Sequence, residues 1–74
     1  MPKLPHISGR ECAKALAKAG FQFVRMGKGD HMVYRRIEPF AQVTIPNHKE
    51  LDSGTLRAIL RQAGLTVDEF IANL

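Results

Sequence analysis

Phe21-Gln22-Phe23-Val24-Arg25-Met26-Gly27-Lys28-Gly29-Asp30-His31-Met32-Val33-Tyr34 is the stretch that decides the fold. Two apolar, strand-like runs flank a glycine-rich basic turn that ends on a histidine. Phe21 and Phe23 alternate with Gln22, which suits a half-buried strand. Glycine at positions 27 and 29 lets the chain reverse sharply. The stretch therefore predicts a β-hairpin: strand 1 near Phe21 to Met26, and strand 2 about His31 to Ile37.

Downstream, Glu38-Pro39-Phe40 reads as a connection, because Pro39 cannot join a central ladder. Strand 3 follows over about Ala41 to Ile45, with Ala41, Val43 and Ile45 facing one way and Gln42 and Thr44 the other. Three adjacent strands with short links predict an antiparallel meander. Upstream, Ser8-Gly9-Arg10-Glu11 is a capping box, with Ile7 and Cys12 placed as its hydrophobic staple. Cys12, Ala15, Leu16 and Ala19 form a narrow apolar stripe at helical spacing, and Gly20 ends it.

Past strand 3, Pro46 to Asp52 reads as a loop carrying Asn47, His48 and Lys49. Asp52 or Ser53 caps a second helix. Its Leu56, Ile59, Leu60 and Ala63 recur at i, i+3, i+4 and i+7, and Gly64 closes it. Thr66-Val67-Asp68-Glu69 is a second capping box that opens a short terminal helix carrying Phe70, Ile71 and Leu74. The order is α-β-β-β-α, an α+β class with a three-stranded antiparallel sheet and helices on one face. It is the layout of double-stranded-RNA-binding domains, which fixes no function alone. The uncovered face of the sheet is where a ligand could bind.

Seventy-four residues predict a single domain spanning 1–74. One cysteine permits no internal disulfide, and within an apolar helical pattern Cys12 reads as a small core residue. Met1 to Ile7 holds two prolines and no apolar leader, and no window approaches a membrane span. The expected setting is the soluble cytoplasm. The formal net charge is +4, carried unevenly. From Arg10 to Arg36 the chain has Arg10, Lys14, Lys18, Arg25, Lys28, Arg35 and Arg36 against only Glu11 and Asp30. From Ile37 onward acids outnumber bases. A basic half of this kind points to an anionic partner, nucleic acid first.

His31 is the candidate for chemistry. A free histidine titrates near pH ~6.5 and can give or take a proton at neutral pH. RNA carries its own nucleophile, the 2′-OH, so a base that removes its proton, or an acid that protonates the leaving 5′ oxygen, can cut the strand without a metal. Lys28, Arg25, Arg35 and Arg36 are near in sequence and could stabilise charge on the transition state. Backbone N–H groups at Gly27 and Gly29 could cradle a phosphate oxygen. The plainer reading of His31 is a surface histidine after an ordinary hairpin turn. His6, His31 and His48 are too scattered for a ligand spacing and Cys12 reads as a core residue, so neither a metal nor any other cofactor is expected. Gly27-Lys28-Gly29 lacks the rest of a phosphate-binding P-loop.

The residues also resemble a known family. Gly20-Phe21, Val24-Arg25 leading to Gly27-Lys28-Gly29-Asp30-His31, Val43-Thr44-Ile45-Pro46 with His48, and Asp52-Ser53-Gly54-Thr55-Leu56-Arg57-Ala58-Ile59-Leu60-Arg61-Gln62-Ala63-Gly64 together are similar to HicA toxins, the mRNA interferases of HicAB toxin–antitoxin pairs. The resemblance implies a double-stranded-RNA-binding-like fold, metal-independent endoribonuclease activity on mRNA, and inhibition by a HicB-type antitoxin. It also implies that His31 is the catalytic histidine. Asp30 stands before it where the family's pattern carries serine. Lys28, Gly29, Arg25, Arg35 and Arg36 are assigned to RNA binding by charge and proximity. The alternative is a non-catalytic double-stranded-RNA-binding module; a third reading is a protein-interaction domain that pairs through its sheet face or edge.

Overall fold

Both N-terminal capping signals form as their residues dictate. In the computed structural model, which describes residues 4–74, the Ser8 hydroxyl accepts from the Glu11 N–H at 3.1 Å. The Glu11 carboxylate in turn accepts from the Ser8 N–H at 3.0 Å. This starts α1, Gly9–Lys18, and Ile7 and Cys12 bury beside each other as the staple. Gly20, at φ +100°, turns the chain out of the helix. Asp52 caps α2, Ser53–Ala63, by accepting from the Thr55 N–H at 2.7 Å, and Gly64 ends it in the left-handed conformation. Thr66 and Glu69 form the second box and open α3, Val67–Ile71.

The strands are β1, Gln22–Met26; β2, His31–Arg36; and β3, Ala41–Pro46. They form one antiparallel sheet in the order β1-β2-β3, as a meander requires. Thus β2 stops one residue before the expected Ile37, and β3 runs one residue past Ile45. The four-residue turn Ile37–Phe40 between them holds a cis Glu38–Pro39 bond. In β3, Ala41, Val43 and Ile45 are buried and Gln42 and Thr44 exposed, the alternation the sequence shows.

The helices cover one face of the sheet. Leu16, Phe21, Val43, Ile45, Leu56 and Phe70 are among the most completely buried groups of the core, which contains no buried polar or charged residue among those described. The thinnest dimension is 17 Å, room for a sheet and one helix layer only. Among the described residues nothing covers the other face of the sheet. β1 departs from expectation. Phe21 is buried in the core ahead of the strand, but Phe23 is 53% exposed. β1 is an edge strand, every residue of which is exposed. The reading of Met1 to Ile7 as lacking an apolar leader concerns a segment whose first three residues lie outside those described. No helix among the described residues is long and apolar enough to cross a membrane.

Candidate functional site

Register decides which side chains share a face, because directly opposed residues in an antiparallel ladder point the same way. Across β2 and β3, Met32 opposes Ile45, Tyr34 opposes Val43 and Arg36 opposes Ala41. These pairs face the helices. His31 opposes Pro46, Val33 opposes Thr44 and Arg35 opposes Gln42, so these face the open side. The sequence alone left the face of His31 undecided.

β1 joins this pattern through a β-bulge. Gln22 opposes Arg35 and Phe23 opposes Tyr34, but the next pairing is Arg25 with Val33, leaving Val24 as an extra residue. In a regular ladder Val24 would oppose Val33 and Arg25 would point to the helix side. The bulge instead sets Arg25 on the open face beside Val33, the re-aiming that bulges perform near functional sites. Its guanidinium lies near Gly27, where a Cβ would meet Nη1 at an ordinary 3.8 Å and Val33 Cγ2 at a tighter 3.3 Å.

The open face therefore has three cross-strand rows. At the turn end stand His31 and Pro46; next come Arg25, Val33 and Thr44; then Gln22, Arg35 and Gln42. Val33 is only 4% exposed, an apolar floor between the polar rows. His31 is partly exposed at the first position of the central strand, and its ring makes no hydrogen bond or ion pair with another described residue. Arg35 Nε donates to Gln42 Oε1 at 2.9 Å.

The turn is closed by Gly27 N–H donating to the His31 carbonyl at 2.6 Å. That bond occupies the Gly27 N–H, which is thus not free to cradle a phosphate as the sequence suggested. Gly29 sits at φ +70° with open space around it, so backbone conformation, not crowding, calls for glycine there. Lys28 is exposed beside it. Asn47 N–H donates to the Asp30 carbonyl at 2.9 Å and ties the turn to the end of β3.

Arg36, grouped by sequence with the RNA-binding cations, is not brought to this site. It points to the helix side, where Nε donates to the Pro39 carbonyl at 2.9 Å and Nη2 to the Ala63 carbonyl at 3.1 Å. Its guanidinium lies 4.7 Å from the centre of the Phe21 ring. It joins the β2–β3 turn to the last carbonyls of α2. Cys12 is buried, and burial pushes its thiol up to about 12, as suits a packing residue. His6 lies near Glu50, with 3.7 Å between Nδ1 and the carboxylate, on the surface. No group of three or more His, Cys, Asp or Glu side chains among the described residues could hold a metal ion.

Sequence reasoning passed over Gln22, Gln42 and Thr44. The alternation of β3 already put Gln42 and Thr44 on the uncovered side, but only register sets them beside His31 and Arg35.

The family model for the HicA toxin of bacterial toxin–antitoxin systems matches residues 9–65. The chain belongs to the HicA toxin family. The HicA match runs from the first residue of α1 past the Gly64 cap of α2, so it contains every residue of the open-face cluster and leaves out α3. A comparison with curated proteins finds no match for the chain.

Proposed function

We propose that this HicA-family toxin is a metal-independent endoribonuclease that cuts mRNA on its open sheet face, with His31 as general acid or base. The observation that carries the proposal is the grouping on one uncovered face of a partly exposed imidazole and two arginines from neighbouring strands, Arg25 and Arg35. The RNA 2′-oxygen loses its proton and attacks the adjacent phosphorus. The P–O5′ bond breaks, and the leaving oxygen takes up a proton. His31 supplies one of these two transfers and water at the exposed face the other. Arg25 and Lys28 hold the phosphate and offset charge on the transition state, with the Gly29 N–H as a further donor, and Arg35 meets the RNA farther along the same face. Arg36 has no part in this step. A HicB-type antitoxin, the partner that family membership implies, would inhibit by covering this face.

The test is incubation of the purified protein with a long transcript in EDTA, beside a folded His31→Ala variant. Cleavage by the first and none by the second is expected. Equal cleavage by both removes His31 from the mechanism. RNA that is bound but returned intact by both would favour the non-catalytic RNA-binding module instead.

A further inference from the structure

Resting on the ribonuclease reading, we infer that the Arg35–Gln42 pair is a base-reading device that selects guanine in single-stranded RNA, at a nucleotide beside the scissile linkage.

Position comes first. Arg35 and Gln42 lie on the same face as His31 but two rows away, about 13 Å along β2 at 3.3 Å per residue. That is too far to serve the phosphate at His31 and suited to a neighbouring nucleotide. The intervening row, with Arg25 above the buried Val33, lies where the linking backbone would pass.

Chemistry comes second. RNA-binding sheets commonly hold bases by stacking on aromatic rings. This face has none. Phe23 and Tyr34 meet edge to face on the helix side, 5.7 Å apart; Phe21 and Phe70 are buried; Phe40 is in the β2–β3 turn. Hydrogen bonding is what remains. Gln42 Oε1 is engaged by Arg35 Nε, which leaves the Arg35 Nη groups and the Gln42 amide N–H groups directed to solvent. The pair thus presents donors with its best acceptor already taken. Guanine offers two adjacent acceptors, O6 and N7, and an arginine fork matches them. Adenine sets an amino donor beside N7 and meets the pair donor to donor. Duplex RNA hides these edges in a deep, narrow groove, so the device needs a single strand.

The test reads binding, so it does not depend on cleavage. The full chain is titrated with fluorescent 2′-O-methyl oligouridines carrying one central guanine, adenine or cytosine; these lack the nucleophile. The guanine oligomer is expected to bind about ten-fold tighter than the adenine one. Arg35→Lys keeps the charge and loses the fork, so it should abolish the preference. Gln42→Ala should weaken the preference, and melting curves check that both variants fold. Equal affinity for the guanine and adenine oligomers overturns the inference. So does a preference that survives Arg35→Lys, or tighter binding to the matching duplex. Guanine preference in a protein that cuts no transcript would sink the nuclease reading and leave this one standing. Cleavage without base preference would do the reverse.

Discussion

Single residues hold this fold at two places where another residue would fail. Gly9 is the first residue of α1, and a Cβ there would overlap the carbonyl oxygen of Pro46. Its N–H also donates to the His48 carbonyl at 2.9 Å. Gly9→Ala should therefore cost at least about 1–3 kcal/mol, as overpacking does. Each kcal/mol lowers the thermal midpoint by about 4–8 °C in a domain of this size. Arg36 is the second place. Arg36→Ala removes two charged hydrogen bonds to carbonyls and the contact with Phe21, and should destabilise by about 2 kcal/mol. RNA affinity per folded molecule should stay unchanged, measured below the melting range. A matched loss of affinity would return Arg36 to the binding surface.

At the scale of elements, the helix starts predict how stability responds to acid. Hydrogen bonds from Ser8 hold the Glu11 carboxyl below its ordinary 4.5, and Thr66 does the same for Glu69. Bonds from Thr55 hold Asp52 below its ordinary 3.8. A depressed folded-state value means the stabilising contribution is complete above the ordinary value and is lost as pH falls through the folded one. The urea midpoint should be flat from neutral pH to about 5 and fall below that. Ser8→Ala should lower stability by about 1 kcal/mol at neutral pH and make the acid limb shallower. β1 shows the opposite economy. It is an edge strand with Phe23 and Met26 exposed, and its bulge at Val24 interrupts the flat ladder that edge pairing needs.

Over the whole molecule, charge and layering combine. One layer of helices buries the core, and the bare face collects Arg25 and Arg35 with Lys28 in the adjoining turn. Two phosphate contacts on a single strand, from Arg25 and Lys28, predict a slope of about −1.4 in log affinity against log salt. Arg25→Gln should reduce that slope by about 0.7, and Arg36→Ala should leave it alone. Equal effects of the two substitutions would mean that net charge, not the open face, sets the affinity.

By itself the sequence determined the element order, the caps, the buried alternation of β3 and the place of His31 at the exit of a basic turn. Each is a local property: a side chain reaching its own backbone, a period of two or of 3.6, a glycine free to turn. Much of the candidate site was legible in the same way as a cluster of cations near one histidine. Tertiary structure alone decided the membership of that cluster. β2 is central and carries apolar and basic groups on both faces, so its pattern does not say which face is which. Strict alternation in β1 would have put Arg25 on the same face as Phe23, away from His31. Only pairing with β2, and the extra residue it leaves at Val24, sets Arg25 and Arg35 on the same face as His31 and sends Arg36 to the far side. The face of a strand residue is a relation to a partner strand, and no short window of one chain contains it.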